Sequence, residues 1–571
     1  MDDFVNLKDA IKPKQSDDGI IKLFDDEGGK KSQSTLLIDI GKQFSLFHDD
    51  NKDSYVEIKR NDGVFIYPLR SRVFKELLGH RFFNLTGKGC NTNAVSDAIN
   101  TLEAIAKHDG KLHPVHIRTF NDGKRILIDL CSEGRDVITI DANGWRGDKD
   151  GGVKFVCKRG MTALPIPGRK GDISLLGNYL NINSEDLPLI IGWILCALGG
   201  VKPYPILILQ GEQGSGKSTT SRVIRALVDP SSVPLRSLPR EPKDLLVSAG
   251  NTHVVTLDNL SGLSPEISDC LCRLSTGGGH DVRQLYTDND QILIDIQKPV
   301  IINGIDDIAT RQDLAERAFI INLPEIKPDT RKSELEFWRD FERDKAAIFA
   351  GLLDCLVAGL ANRDSVVLKE KPRMADVAIW VTACEKGYNP ENSFIEAHTK
   401  NQREAIELGI EASPVGAAIM ALMADRAEWT GTPTQLLREL ESIAGASQAK
   451  SRAWPQSTKG LRNSIRRLMP SFRKVGIFIS QNPSGDRFYR ITKGTLQPPY
   501  PPETPKPTAG AAFSTGGYRA DSGNTAVICS NRADSNSNRP TSNPATVRVL
   551  ADKADKADKN GLPIFIDEGE I

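Results

Sequence analysis

The sequence predicts a multidomain protein built on an α/β phosphate-binding core, with a strand-rich N-terminal domain, a helical lid and a winged-helix-like C-terminal module. Three observations carry that expectation. Residues 211–218 read Gly-Glu-Gln-Gly-Ser-Gly-Lys-Ser, a complete GxxxxGK[ST] pattern between an apolar strand and a helix. Residues 187–330 alternate strand and helix, as parallel sheets with crossover helices do. Between Glu441 and Asp486 the chain has basic residues and no acid, in the order helix, helix, hairpin.

Length and composition set the frame. At about 150 residues per domain, 571 residues give several domains. Lys+Arg and Asp+Glu are both 74, so the formal net charge is zero. This excludes a uniformly basic or uniformly acidic chain but allows local basic surfaces. The nine cysteines are scattered without a CxxC, against a zinc ribbon or a thioredoxin-type centre. Cys270 and Cys272, two apart on a predicted helix, would face different sides. No signal peptide is read at Met1-Asp2-Asp3, and the apolar run Leu187–Leu198 is too short to span a bilayer. The expectation is a reducing cytoplasmic setting without membrane contact.

Residues 1–34, polar with paired glycines at 28 and 29, read as a disordered lead-in. Residues 35–186 form the strand-rich domain. Its strands are read at 55–59, 64–67 and 125–130, with the turn Asn61-Asp62-Gly63 and a helix over 93–107. Residues 187–330 are the core, 331–425 the helical domain and 426–494 the basic module. Residues 495–571 hold a proline cluster and an Ala-Asp-Lys repeat, too polar to offset their ordering entropy, and read as a disordered tail.

In the core, Gly211, Gly214 and Gly216 allow the backbone to curl so that N–H groups, those of Ser215 to Thr219 among them, face phosphate at a helix N-terminus. Lys217 would neutralise the outer phosphates of ATP, and Ser218 would bind Mg²⁺. His253–Asp258 reads as an apolar strand ending in an acid, placing Asp258 in the Mg²⁺ shell. Many motors follow with a second acid; here Asn259 follows, so the general base is open, with Glu212 and Glu266 as candidates. Asn303, ending the strand from Pro299, would sense the γ-phosphate. Arg317, before the strand 318–321, would reach a neighbouring subunit's nucleotide, with Arg311 second. A strand-end turn, a turn before Gly304 and a helix-end ion pair are the plain structural alternatives for Asp258, Asn303 and Arg317.

Residues 211–218, Asp258, the segment 275–283, Asn303 and Arg317 together resemble superfamily 3 replicative helicases, most of all the primase–helicase ATPases of phages and mobile elements. The resemblance implies an AAA+-type core, a hexameric homo-oligomeric ring, ATP hydrolysis between subunits and DNA in a central channel. It also implies a separate primase or host replication proteins as partners. The hairpin between Arg283 and Gln291 departs from that pattern, because its tip, Thr287-Asp288-Asn289-Asp290, is acidic. His280 and Arg283 are the nearby basic candidates. In the basic module, Lys459, Arg462, Arg466, Arg467 and Arg473 are the candidate DNA contacts on a helix read over 457–469. The alternatives are a non-translocating DNA-binding initiator or loader and, from another class, a small-molecule phosphotransferase. An acidic protein partner is the alternative for the basic face.

Overall fold

The computed structural model describes residues 21–23, 29–61, 63–278, 280–283, 291–294, 296–304, 311–388, 393–451, 453–481 and 488–494. The expected tail, the acidic hairpin tip and the turn at 482–485 lie outside them. The fold is mixed α/β, with several sheets.

Residues 33–112 have their own core. A sheet of strands Ser45–His48, Ser54–Lys59, Val64–Pro68 and Lys111–Leu112 packs against helices Gln33–Lys42, Arg72–Thr86 and Thr92–His108. The first two helices were not read from sequence. Phe74, Leu77, Leu78 and Phe82 form the buried stripe of the second, at helical spacing. Ile21 and Leu23, assigned above to the lead-in, pack against this core.

Residues 119–148 form a separate four-stranded antiparallel meander. Its inward residues Ile126, Ile128, Ile138 and Ile140 share one core with the helix α1 (Leu187–Gly199) and the long helix α4 described below. The expected domain 35–186 is therefore two units, the second continuous with the core. Helix α1 is buried on all sides except its first residue, which explains the unbroken apolar run. Cys131 and Cys157, read above as scattered thiols, form a disulfide within this region. With Asp129 they place ligand-type atoms within 4.8 Å of one another. The sulfurs are joined, however, and Asp129 accepts from Cys131 N–H (2.9 Å) and faces Arg135 (3.5 Å), so the group is a covalent and ionic clasp.

The central sheet is parallel. Strands β1 (Ile206–Gln210), β2 (Val255–Leu260), β3 (Val300–Gly304) and β4 (Ala318–Asn322) lie in the order β2-β3-β1-β4. Register pairs Gln210 with Gly304 and Asn322, so the strand C-termini finish level. Helix α2 (Lys217–Val228) leaves the loop after β1, and α3 (Pro265–Thr276) follows β2. Cys270 and Cys272 are both buried in α3.

Helix α4 (Glu334–Asn362) carries the meander on one side and α5 (Ala375–Glu385) on the other. Gly171 and Gly351 allow the preceding chain to cross α4 closely: a Cβ on Gly171 would stand 2.6 Å from Gly351 N. Helix α6 (Phe394–Glu411) then leads to α7 (Pro414–Leu422). Helix α7 shares one core with β5 (Glu428–Gly431), α8 (Pro433–Ala449), α9 (Thr458–Lys474), β6 (Ile477–Gln481) and β7 (Tyr489–Lys493). The C-terminal sheet has the order β5-β7-β6. The sequence boundary at 425/426 divides this core, and β5 was not expected. Helix α8 breaks at Gly445, whose φ of +80° and ψ of 159° are non-helical. Helix α9 continues past Met469 through Pro470, because the next turn buries Phe472. Among the described residues no single helix is long and apolar enough to cross a membrane.

His398 of α6 is buried, stacked on Phe394 (centroids 5.5 Å) and edge-on to Phe319 (5.6 Å). Burial pulls its pKa down to about 4. The unfolded imidazole titrates near 6.5, so stability is complete above that value. It falls as the pH drops toward the folded value, because only the unfolded chain takes the proton. Urea unfolding at pH 5 should therefore show about 2 kcal/mol less stability than at pH 7 from this residue. His398→Gln should flatten that pH dependence by the same amount.

Candidate nucleotide site and basic helix

Three glycines shape the loop after β1. Gly214 and Gly216 have φ of +86° and +87°, and Gly211 has +149°. A Cβ on Gly211 would meet Leu323 O at 2.6 Å and Ser215 Oγ at 2.9 Å, so β4's exit also demands glycine there. Lys217, the first residue of α2, folds back to donate to Gly211 O and Glu212 O, both at 2.7 Å. Burial lowers its pKa, and the Asp258 carboxylate opposes that shift.

Asp258 comes from an irregular part of β2. The register to β3 slips between Leu257 and Leu260, and Asn259 takes φ +59°. Bulges of this kind re-aim side chains near functional sites. Here the carboxylate accepts from Ser218 Oγ at 3.0 and 3.2 Å and from Asn303 Nδ2 at 2.7 Å. Asn303 Oδ1 in turn accepts from Ser221 Oγ at 2.7 Å, one turn into α2. Asn303 and Ser221 are fully buried. Lys217, Ser218, Asp258 and Asn303 therefore meet at the C-terminal edge of a parallel sheet, where ligands of open α/β sheets bind. Ser218, Thr219, Gly214, Gly216 and Asp258 line a cleft of about 950 Å³.

Arg317 does not line this cleft. Its guanidinium pairs with the Asp313 carboxylate and donates to Asp313 O at 2.9 Å, and the side chain is 14% exposed. Arg311 pairs with Asp269 at 2.7 Å. Arg317 therefore shows the helix-end pairing with Asp313 that was the alternative to a role in trans. Of the two candidate bases, Glu266 lies in the first turn of α3 and is not among the residues lining the cleft; Glu212 is exposed in the loop, offering its carbonyl to Lys217.

Sequence reasoning missed the rest of the cleft. Asn181 donates to Ser215 O (2.9 Å) and Pro324 O (2.6 Å), tying the loop to the chain before α1 and after β4. Arg222 of α2, Arg331 and the aromatic start of α4 also line it. These groups are spread from residue 181 to residue 338, and no local pattern marks them.

The basic helix α9 is amphipathic. Leu461, Ile465 and Phe472 are buried, while Lys459, Arg462, Arg466, Arg467 and Arg473 are all exposed. At about 100° per residue, Lys459, Arg462, Arg466 and Arg473 fall within an arc of about 60°, centred about 110° from the buried stripe. Lys474, in its last turn, reaches back to Glu316 at 2.9 Å. His280 and Arg283 lie on paired strands His280–Arg283 and Gln291–Ile294. Their side chains are outside the described residues.

The fold and site thus define an α/β protein with a glycine-rich loop at its sheet edge and a basic helix in a small C-terminal module. Residues 172–387 match the family model of the actinomycete integrative conjugative element replication protein. Residues 415–505 match that of the AICE RepA C-terminal domain, the second match beginning within α7. No curated protein is detectably similar. Among solved structures, the apo NrS-1 C-terminal region is 14% identical with a TM-score of 0.37, over 81% of this chain and 98% of that one. A JCV helicase with a bound acetamide compound is 14% identical with a TM-score of 0.20, over 40% of this chain and 67% of that one. At these scores neither likeness bears on function.

The Ser221–Asn303–Asp258 chain is testable by itself. Ser221→Ala leaves a buried carbonyl oxygen of Asn303 without its donor and should cost about 1–3 kcal/mol in urea unfolding. Ser218→Ala, at the partly exposed end of the chain, should cost clearly less.

Proposed function

We propose that this chain is an ATP-hydrolysing replication protein that acts on DNA, a motor of helicase type with an AAA+-like P-loop core. The observation that carries the reading is the meeting of Lys217, Ser218 and Asp258 in one cleft at the edge of the parallel sheet. The match of residues 172–387 to replication proteins of integrative conjugative elements supports it. The backbone of Gly211–Thr219 would hold the triphosphate, and Lys217 would leave the loop carbonyls for phosphate oxygens.

The Ser218 hydroxyl and Asp258 carboxylate already share a hydrogen bond, and both are hard oxygen donors of the kind Mg²⁺ prefers. They would hold the ion, which when bound supplies charge neutralisation at the phosphates. Asn303, held by Ser221 and Asp258, would sense the outer phosphate. Arg317 serves a neighbouring subunit of a homohexameric ring once Asp313 releases it. The C-terminal module acts as a winged helix, laying Lys459, Arg462, Arg466, Arg467 and Arg473 on DNA. A separate primase or host replication proteins complete the machinery in the cytoplasm.

A second reading is an ATP-dependent initiator or loader that does not translocate. The sequence favours it at two points: Asn259 follows Asp258 where many motors have a second acid, and residues 287–290 are acidic where DNA contacts are expected. A phosphotransferase has no comparable support, since nothing in it calls for a basic helix.

ATP hydrolysis by the purified chain, with and without single-stranded DNA, tests the proposal. Lys217→Ala should lower turnover by on the order of 10²–10³-fold, as losing a charge-stabilising donor does. Unchanged turnover in that variant would sink the ATPase reading. Strand displacement separates the motor from the switch.

Salt titration of duplex binding tests the basic helix. Four residues on one arc give a slope of log K against log salt of roughly −3 to −4, at about −0.9 per phosphate. Arg462→Ala with Arg466→Ala should shallow it by about two units. A slope near zero in the wild type would point to an acidic protein partner for this face.

A further inference from the structure

The cleft extends well beyond the phosphate loop, and its far wall is aromatic. Asn178, Tyr179, Asn181, Phe337 and Trp338 line that end. Tyr179 packs edge-on against Phe337 (5.7 Å) and Phe341 (5.2 Å), and Trp338 against Phe337 (5.3 Å) and Phe341 (5.7 Å). The wall is pinned from behind, because Tyr179 Oη donates to Asp344 Oδ2 at 2.6 Å, with Asp340 O also 2.9 Å from it. Tyr179 and Phe341 are buried, whereas Phe337 and Trp338 keep part of their surface in the cleft. Asn181 links this wall to the phosphate loop through Ser215 O.

Aromatic surface left open beside a phosphate site is what a nucleobase needs for stacking. Asn178 adds a reader. It is exposed and lines the same end, and its amide makes no hydrogen bond among the described residues. A carboxamide offers one donor and one acceptor, which matches the N7 acceptor and N6–H donor of adenine as a pair. Guanine offers two acceptors, O6 and N7, at the same edge, so the amide satisfies only one of them. Asn181 cannot take this role, since both bonds of its Nδ2 are committed to backbone carbonyls.

We propose that Trp338, backed by Phe337, stacks the base of the bound nucleotide, and that Asn178 selects adenine over guanine. This rests on the nucleotide reading above, and the measurement separates the two. Titration calorimetry on the full chain would compare ATP, GTP and inorganic tripolyphosphate, each with Mg²⁺. The wild type should bind ATP more tightly than tripolyphosphate and more tightly than GTP. Trp338→Ala should weaken ATP by about 5- to 150-fold, the equivalent of one stacked base, and leave tripolyphosphate unchanged.

Asn178→Ala, at an exposed position that does not threaten folding, removes both the donor and the acceptor of the amide. It should reduce the ATP-to-GTP preference by at least about 5-fold. Equal wild-type affinity for ATP and tripolyphosphate, or an unchanged ATP-to-GTP ratio in Asn178→Ala, would overturn the base subsite. Failure of the phosphate reading looks different. It is tripolyphosphate binding that Lys217→Ala leaves intact, and base-dependent differences persisting there would still support the subsite. Absence of binding by all three ligands would overturn both.

Discussion

One buried carboxylate holds the two halves of the site in register. Asp229 ends the helix that starts at Lys217 and is wholly buried. Burial by itself would raise its pKa, but Arg118 and Arg225 outweigh that and hold it well below the usual carboxylate range. It accepts from Arg118 Nε (3.1 Å), Arg225 Nη2 (3.3 Å), Thr252 Oγ1 (3.1 Å) and the N–H groups of His253 (3.1 Å) and Val254 (3.0 Å). Arg118, itself fully buried, spends its other donors on Asp129 O and Thr162 O, both at 3.0 Å. The carboxylate thus ties the far end of α2 to the entry of β2 and to the meander. Since α2 begins at Ser218's loop and β2 delivers Asp258, their facing side chains inherit that alignment. Such a pair is costly to desolvate and adds little net stability over an apolar replacement. Its value lies in geometry, because removing either charge strands the other.

At the opposite end of α2 the interactions are weaker and exchangeable. Lys217 rests on two loop carbonyls, and Ser218 on a partly exposed carboxylate. Each bond is worth about 1 kcal/mol net, so a ligand carrying several negative charges can displace them. Asn303 differs: its amide is locked on both sides, by Asp258 and by Ser221. The site therefore combines a fixed buried amide with a lysine whose partners are loop carbonyls a ligand can replace, a division that follows from burial rather than from residue type.

What the sequence disclosed tracks how local each feature is. The glycine loop, β1 and α2 fall within 23 consecutive residues, 206–228, and their pattern is explicit. Asp258 and Asn303 were legible as polar ends of apolar strands. The bulge that turns Asp258 toward Ser218 was not, because it depends on pairing with β3. Asn181 and Trp338 join the cleft only through tertiary packing. The strand Glu428–Gly431 buries Trp429 and little else, too short a signal for a period of two. Pro470 marked a helix end by local rules, and the burial of Phe472 overrode it. Arg118 and Asp229, which organise the interior, sit 111 residues apart and show no local pattern at all.

The C-terminal module is joined to the core by a different kind of contact. Glu316, 12% exposed, accepts from Lys474 at the end of the basic helix and pairs with Arg373, which also reaches Asp313 at 3.0 Å. Asp313 is the partner of Arg317. Singly, the pairs among the three cations Lys474, Arg373 and Arg317 and the two carboxylates Glu316 and Asp313 would each count for little as surface ion pairs. Here they share partners, so displacing one cation changes the charge felt by the others. A polyanion gathered along Lys459, Arg462, Arg466 and Arg473 approaches the same helix whose last lysine neutralises Glu316. Lys474 thus makes the last turn of the basic helix part of the charge group that holds Arg317.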